Sequence, residues 1–290
     1  MIPLSSLRIN ARHFLALLPI ASLSFLPVQA NAQNTLADVQ SGEPSLAYLW
    51  DFQGEEGAKV ATSDDTAGTM PLQRGQAEKD DSIFAVIGAK APGGGNALCF
   101  PAPASPENGG WLRTMMFDWP EEGTVEFLIK PSSDGPLESG HAVSGISLSN
   151  RWYVFQPESG QPLQWWVGGT NRAKENRPDL IGGNSPVHLQ DDTWYYVVLQ
   201  YRFDAANSTC DLKASVAALD TDNPKLEVVA VTKVEAAGPS DTPPLQSRIN
   251  VGGEANGSGS RWYGCLANLA IYNGWLAEDR LNARLKTLTK

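Results

Sequence analysis

Positive charge, cysteine and histidine are scarce in this chain of 290 residues. It has 22 Lys and Arg against 32 Asp and Glu, so its formal net charge is −10, and it has 3 Cys and 3 His. Nucleic acids and anionic lipid surfaces bind clustered positive charge, so the acidic balance argues against either as a general partner. A zinc cluster needs closely spaced Cys and His, and the wide spacing of these few residues argues against one.

Long apolar runs are also missing, except near the start. Residues 14–28 form an apolar run that follows a basic stretch and precedes the small-residue sequence Ala30-Asn31-Ala32. This pattern is typical of a secretory signal peptide over 1–32, with cleavage predicted after Ala32 or, as the alternative, after Ala30. A relaxed membrane span needs about 20 apolar residues, and the run is shorter than that. We therefore expect a secreted or periplasmic protein with no membrane span after cleavage. Removing the two Arg of 1–32 takes its net charge to −12.

Helical periodicity is absent from most of the remaining chain. Short runs rich in Val, Ile, Tyr, Trp and Phe alternate with turn residues, as is typical of half-buried strands. The predicted strands are 46–52, 82–87, 97–100, 123–130, 143–148, 151–156, 163–167, 193–203, 210–219, 225–234, 248–251 and 262–272. Only 276–288 has Leu at near-helical spacing, with acids early and basic residues late, as the helix dipole favours.

This pattern predicts an all-β fold, a two-sheet antiparallel β-sandwich or jelly roll with a short C-terminal helix. Residues 33–44 are polar and are predicted to form a flexible leader. No linker-like stretch interrupts 45–290, so we expect one domain there.

The three cysteines lie in the exported part of the chain, where disulfide bonds are possible. An odd number leaves at least one free or paired between chains. The simplest interpretation is that all three are small, half-buried strand residues. If two of them do pair, Cys99 and Cys265 are favoured over Cys210, because first and last strands often neighbour each other in sandwiches.

Several segments, taken in order, resemble laminin-G-like jelly-roll domains of the concanavalin A-like lectin/glucanase superfamily. They are YLWDF at 48–52, GGGNALCF at 93–100, GTVEFLIKP at 123–131, DTWYYVVLQY at 192–201, INVGG at 249–253 and WYGCLANLAIYN at 262–273. Each is weak alone, and their shared order over most of the chain carries the resemblance. The resemblance implies the same sandwich, with a domain over 45–290.

The resemblance also raises the question of a structural calcium ion. Relatives usually have Asp-Glu where this chain has Ala267-Asn268, and Ala267 has no side-chain oxygen to bind a cation. Asp64 and Asp65 are the candidate ligands that are left. The alternative is that both cap a turn of their own backbone. No other cofactor is predicted.

Catalytic signatures are missing from the sequence. A retaining glycosidase needs two carboxyl groups about 5–5.5 Å apart, which on a strand means acids two residues apart. Glu126 is the only acid inside its strand, and Thr124 and Leu128 share its face. The sequence therefore favours binding over catalysis. The alternatives are a glycan-active hydrolase or lyase on the same fold, or a structural envelope protein without a sugar site.

Sugars are recognised by aromatic faces together with fixed polar groups. In 163–167, Leu163, Trp165 and Val167 share a face that we expect to point inward, which leaves Gln164 and Trp166 outward. Trp166 is accordingly the first candidate platform. The candidate ligand-binding residues are Trp166, Trp152, Arg151, Gln164, Arg172 and Trp262. The predicted function is a secreted, non-catalytic carbohydrate-binding or adhesion-like module whose partner is a glycan or cell-surface polysaccharide.

Overall fold

A computed structural model describes most of the chain from Asn34 onward. The described residues are 34–60, 62–63, 72–74, 85–100, 112–115, 117–132, 143–148, 152–156, 164–167, 189–204, 206–207, 209–235, 245–247, 249–252 and 263–289. Residues Asn34–Lys290 form one compact unit. The predicted signal peptide over 1–32 lies outside the described residues and stays a prediction.

The described secondary structure consists almost wholly of strands. The strands are β1 Leu46–Trp50, β2 Lys59–Val60, β3 Thr62–Ser63, β4 Leu72–Arg74, β5 Ala85–Lys90, β6 Asn96–Phe100, β7 Leu112–Arg113, β8 Phe117–Trp119, β9 Glu122–Pro131, β10 Val143–Leu148, β11 Trp152–Gln156, β12 Gln164–Val167, β13 Tyr195–Asp204, β14 Thr209–Ala218, β15 Glu227–Glu235, β16 Leu245–Ser247, β17 Ile249–Val251 and β18 Gly264–Asn273. The helices are α1 Leu36–Ser41 and α2 Glu278–Leu288.

The strands form two large antiparallel sheets and one small one. The nine-stranded sheet has the order β15-β14-β13-β9-β18-β6-β5-β2, with β1 also paired to β18. The seven-stranded sheet has the order β12-β11-β10-β17-β7-β4-β3, and β16 pairs with β8. The predicted two-sheet antiparallel sandwich with a short C-terminal helix is confirmed.

One apolar core is shared by the two large sheets. In β9, Val125, Phe127 and Ile129 lie in this core, whereas Glu126 and Leu128 lie on the opposite face of the strand. The seven-stranded sheet contributes Leu72, Leu112, Ile249 and Val251. Alternation with a period of two residues therefore divides each sheet into a core-facing side and an outer side.

The outer side of the nine-stranded sheet, here called the back face, carries a second apolar cluster. Leu281, Leu285 and Leu288 of α2 and Leu36 of α1 pack there with Leu128 and other residues of the sheet. The early acids Glu278 and Asp279 and the late Lys286 suit the dipole of α2, as the sequence predicts. The outer side of the seven-stranded sheet is called the front face.

Helix α1 lies inside residues 33–44, where the sequence predicts a flexible leader. Thr35 and Asp38 form a capping box, with the Asp38 amide 3.1 Å from the Thr35 hydroxyl oxygen. Leu36 and Gln40, one turn apart, are fully buried. So short a helix has little stability of its own and is held by packing, which a polar composition does not reveal.

A disulfide joins Cys99 of β6 to Cys265 of β18, which are directly opposite in the sheet. This confirms the favoured pairing and corrects the simpler interpretation of both as unpaired strand residues. Gly88, on β5, leaves room for it, because a Cβ there would collide with the Cys99 sulfur.

Candidate functional site

The back face holds a buried charge on a central strand. Glu126 is 0 % exposed, and its carboxylate accepts hydrogen bonds from the hydroxyls of Tyr196 and Tyr272. It also accepts a 2.9 Å hydrogen bond from the Gln40 amide of α1, and the Arg284 Nε of α2 lies 3.0 Å away. These five residues are called the Glu126 cluster.

Arg284 extends this cluster to a second acid. Its Nη2 lies 3.1 Å from Glu43, which follows α1, and its guanidinium stacks 5.1 Å from the centre of the Tyr272 ring. The exposed Arg280 reaches the same Glu43 carboxylate at 3.3 Å. One guanidinium thus joins both helices to the middle of the sheet.

Burial and the charge of Glu126 together determine which side chains of the Glu126 cluster are protonated. Burial, together with the negative charge of Glu126, raises the pKa of Tyr196 and of Tyr272 well above the ordinary value. Burial alone would lower the pKa of Arg284, but the negative charge of Glu126, with a hydrogen bond to Glu43, more than offsets this and raises it. The tyrosines are therefore neutral donors and Arg284 is a cation across the ordinary pH range.

The loop before α2 is anchored to the same face. The amide of Leu276 donates to the Thr124 hydroxyl at 3.0 Å, and the Gln200 side-chain amide donates to the Leu276 carbonyl at 2.8 Å. Thr124 and Gln200 are both buried. Polar residues of this face thus bind the protein's own backbone and helices, and a substrate has no access to the Glu126 carboxylate. The geometry gives the Glu126 cluster a structural role.

The front face is defined by the residues that alternate with the core. Ile249 and Val251 lie in the core on either side of Asn250, and Leu72 and Leu112 adjoin Gln73 and Arg113. Successive strand residues lie on opposite faces, so the intervening positions belong to the front face. They are also directly paired across strands, Asn250 with Arg113 and Arg113 with Gln73.

The same line of pairs continues to both edges of the sheet. Thr62 pairs with Gln73 at one end, and at the other Asn250 pairs with Ser147, Ser147 with Tyr153 and Tyr153 with Trp166. The resulting front row is Thr62, Gln73, Arg113, Asn250, Ser147, Tyr153 and Trp166. Six strand spacings of about 4.8 Å give it a length of roughly 29 Å.

One end of the front row is aromatic. Phe155 and Gln164 are paired in the ladder and lie two positions along from Tyr153 and Trp166, on the same face. Three aromatic positions and one amide therefore adjoin each other on the edge strand β12 and its neighbour β11. This is the composition that stacking against a sugar ring and bonding its hydroxyls requires.

The strand register assigns the positions of 163–167 to the same sides of the sheet as the sequence predicts. It also shows that the candidate ligand-binding residues do not all belong to one side. Trp165 and Val167 pair with Val154 and Trp152. Those two pair in turn with residues of β10 that lie opposite the core residues Val251 and Ile249. Trp152 therefore belongs to the core-facing side, whereas Trp166 and Gln164 belong to the front face.

The other predicted site residues lie outside the described residues. These are Arg151, Arg172 and Trp262 for ligand binding and Asp64 and Asp65 for calcium. Within the described ranges, His, Cys, Asp and Glu form no group of three that could hold a metal ion, and Ala267 is buried. The calcium site stays a prediction.

Sequence reasoning missed Arg113, Asn250 and Tyr153. Tyr153 could have been found, since it alternates with Trp152 and Val154 in a strand that was predicted. Arg113 could not, because β7 is only two residues long and has no periodicity to recognise. Asn250 is fully buried and Arg113 partly buried, so the centre of the row is more enclosed than an open surface.

No protein-family model matches the chain, and a search of the curated proteins finds no similar sequence. Solved structures do share its fold. A receptor-binding domain has a TM-score of 0.53 at 11% identity, covering 88% of this chain and 53% of its own. A botulinum neurotoxin type C structure, described with cell entry that depends on two ganglioside molecules, has a TM-score of 0.52 at 11% identity, covering 88% and 53%.

An arabinofuranosidase complexed with arabinofuranosyl-α-1,2-xylobiose has a TM-score of 0.50 at 11% identity, covering 80% of this chain and 50% of its own. The chain therefore spans about half the length of each of these proteins. At this identity the similarity shows the fold alone, an antiparallel β-sandwich. None of the helices among the described residues is long and apolar enough to cross a membrane.

Proposed function

We propose that the chain is an exported, non-catalytic glycan-binding module of laminin-G-like architecture, and that it holds its ligand on the front face. The observation that carries this proposal is the register that joins Trp166, Tyr153 and Ser147 to Asn250 and Arg113 in one line. Along this line, aromatic positions at one end of the front row are followed by polar positions, all on the same side of one sheet.

This composition suits the chemistry of sugars. The CH-rich side of a pyranose ring stacks on an aromatic face, and its hydroxyls need donors and acceptors held at fixed places. Residues directly opposite each other on antiparallel strands have Cβ atoms about 4.5–5.5 Å apart. The consecutive positions at the aromatic end, Ser147, Tyr153 and Trp166, are thus close enough to contact neighbouring parts of one oligosaccharide.

The positions of the acidic side chains favour binding over catalysis. None of the seven positions of the front row is acidic. Glu126, the acid at the centre of the nine-stranded sheet, is enclosed by its own tyrosines and Arg284. The sugar-related descriptions of the neurotoxin and arabinofuranosidase structures support a glycan partner in a general way.

The proposal is tested by Trp166→Ala. We expect wild-type protein to bind members of a glycan array and Trp166→Ala to weaken the best of these interactions at least about tenfold, measured by calorimetry. Its free energy of unfolding should change by less than about 1 kcal/mol, because alternation along β12 assigns position 166 to the side opposite positions 165 and 167.

Two controls make the result specific. Val231→Ala, at a position that is 73% exposed on β15 of the other sheet, should change neither binding nor stability. Trp165→Ala, on the core-facing side of β12, should lower stability. The proposal fails if folded wild-type protein binds no glycan, or if Trp166→Ala binds as tightly as wild type.

A further inference from the structure

We propose that β15 is a self-association edge, at which two copies of this chain pair their β15 strands antiparallel and join two nine-stranded sheets into one. Among the strands that the structure describes, β15 is the last of its sheet and has a neighbour, β14, on one side only. An edge strand presents N–H and C=O groups with which another strand can pair. Proteins that avoid such pairing often keep their edge strands very short, whereas β15 has 9 residues.

The edge also carries exposed apolar side chains. Val231 is 73% exposed and Val228 is 51% exposed, and they are two of the three large apolar side chains that are exposed in the described part of the chain. Their partners on β14, Lys213 and Ser215, alternate with core residues of that strand. Both valines therefore lie on the back face of the sheet.

A β-bulge brings the two valines onto one side. The register between β14 and β15 shifts by one residue, so that Val229 is extra on β15 and packs against the core. In a regular strand, residues three apart such as Val228 and Val231 would lie on opposite faces. The bulge thus presents them together at the edge of the sheet.

The charges of this edge are self-complementary about Ala230. Glu227 and Lys233 each lie three residues from Ala230. Lys225 and Glu235 each lie five residues from it, again with opposite signs. A two-fold axis at Ala230 reverses the strand direction and brings each of these residues beside the oppositely charged residue of the other copy. Because the bulge shifts the pairing, each such couple is within one position of direct opposition.

The same axis covers the exposed valines. With the bulge counted, Val228 of one copy lies directly opposite Val231 of the other, and symmetry repeats the pair. Directly opposite residues on antiparallel strands have Cβ atoms about 4.5–5.5 Å apart, so the four valines form one apolar patch. No like charges of 225–235 are directly opposite in this register. A second copy therefore fits both the apolar and the charged groups of the edge.

The charged residues make this edge selective. Lysines and bulges on an edge strand hinder pairing with unrelated strands, whereas a second copy supplies a glutamate beside each lysine. The charges of 225–235 sum to zero, and repulsion between the acidic chains beyond about 8 Å is largely screened at physiological ionic strength. Lys233 lies 3.8 Å from Asp211 of its own copy, but both are exposed and such a pair contributes little.

Such a dimer is bivalent. The two-fold axis of an antiparallel strand pair is perpendicular to the sheet, so both front faces lie on the same side of the joined sheet. Two modules that contact one polysaccharide bind it with an avidity above the affinity of one site. This consequence rests on the proposed function, whereas the self-association does not, and it is tested without a glycan.

Sedimentation equilibrium of residues 33–290 tests the proposal. One strand pair is a small interface, so we expect wild-type protein to dimerise with a dissociation constant of about 1–100 μM at physiological salt. Hydrogen exchange should show the backbone amides of β15 becoming more protected as the concentration rises through this range. Wild-type protein that stays monomeric to about 500 μM overturns the proposal, and so does a dimer in which these amides are not protected.

Charge reversal tests the orientation. Glu227→Lys alone, or Lys233→Glu alone, places like charges beside each other at two symmetric contacts and should weaken the dimer at least about tenfold. An equimolar mixture of the two variants restores opposite charges at both contacts and should recover the dissociation constant to within about threefold of wild type. Thermal unfolding shows whether each variant is folded. A mixture that dimerises no better than the single variants overturns the proposal.

The apolar patch is tested by Val231→Lys, which should also weaken the dimer at least about tenfold. Met115→Lys is the matched control, because Met115 is 58% exposed but lies outside β15, and its dimer should equal that of wild type. Equal effects of the two changes would overturn the proposal. A monomer that binds glycans refutes this inference alone, and a dimer that binds no glycan refutes only the proposed function.

Discussion

The two outer faces of the sandwich differ in what their polar residues contact. On the back face, Glu126 is surrounded by hydrogen-bond donors of the protein itself, and both described helices pack over it. On the front face, the register aligns aromatic, amide and guanidinium positions across seven strands. A charge enclosed by its own protein serves the fold, whereas a row of aromatic and polar positions without an acid is suited to a ligand.

The back face also carries the covalent link of the fold. Cys99 and Cys265 pair across β6 and β18, and both pack against the back-face apolar cluster. We therefore expect changes on the back face to alter stability and changes on the front face to alter binding. Each prediction below tests that division.

The largest expected effect comes from Arg284→Met. This change leaves the buried Glu126 carboxylate without its cation, and breaking a buried pair from one side costs about 3–5 kcal/mol. Urea unfolding measures the loss. The double variant Glu126→Leu with Arg284→Met should recover part of it, because no uncompensated charge is left.

A loss below about 1 kcal/mol in Arg284→Met would show that the Glu126 cluster does not hold the helices. If the folded variant also lost its affinity for glycans, the two faces would be coupled. The division between a back face that sets stability and a front face that binds would then be wrong.

Removing the disulfide should have the next largest effect. Cys99→Ala with Cys265→Ala frees a loop with a sequence separation of 166 residues and should cost about 2–5 kcal/mol. Cys210→Ala, which removes a cysteine of β14 outside this disulfide, is the matched control. Equal unfolding midpoints for the double variant and wild type would contradict the prediction.

Alkaline pH should weaken the back face selectively. The pKa of Tyr196 and of Tyr272 is raised in the folded protein, so above about pH 10 the unfolded chain has lost protons that the folded chain keeps. The unfolded state then binds fewer protons, and the free energy of unfolding falls as pH rises, by about 1.4 kcal/mol per pH unit for each tyrosine.

Urea unfolding between pH 9 and 11 measures this slope. Averaged over this range, in which the unfolded tyrosine is half ionised, Tyr196→Phe should reduce the slope by about 0.7 kcal/mol per pH unit, since one of the two groups no longer titrates. A slope that is the same in wild type and Tyr196→Phe would show that Tyr196 ionises equally easily in both states.

Strand positions followed from the sequence wherever a strand was long. The alternation of Val125, Phe127 and Ile129 with Thr124 and Glu126 was sufficient to predict β9 and its core-facing side, because side chains alternate between faces at every step. The outward assignment of Gln164 and Trp166 followed by the same reasoning.

The missed elements share a physical cause. A two-residue strand such as β7, or the single turn and a half of α1, contains too few residues for a periodic pattern and is stabilised by partners that are distant in sequence. Arg113 could not be assigned to the ligand face until the pairing of β7 with β17 was known.

Composition and local alternation determined that this chain folds as a sandwich, which sides of its long strands are buried, and that a C-terminal helix follows. Only the tertiary structure decided that Arg284 neutralises Glu126 and that Arg113, Asn250, Tyr153 and Trp166 stand in one row. The side of a sheet to which a residue belongs follows from its neighbours along the same strand. Strand pairing, in contrast, joins residues that are far apart in the chain. No local sequence pattern therefore specifies which of the many possible registers is formed.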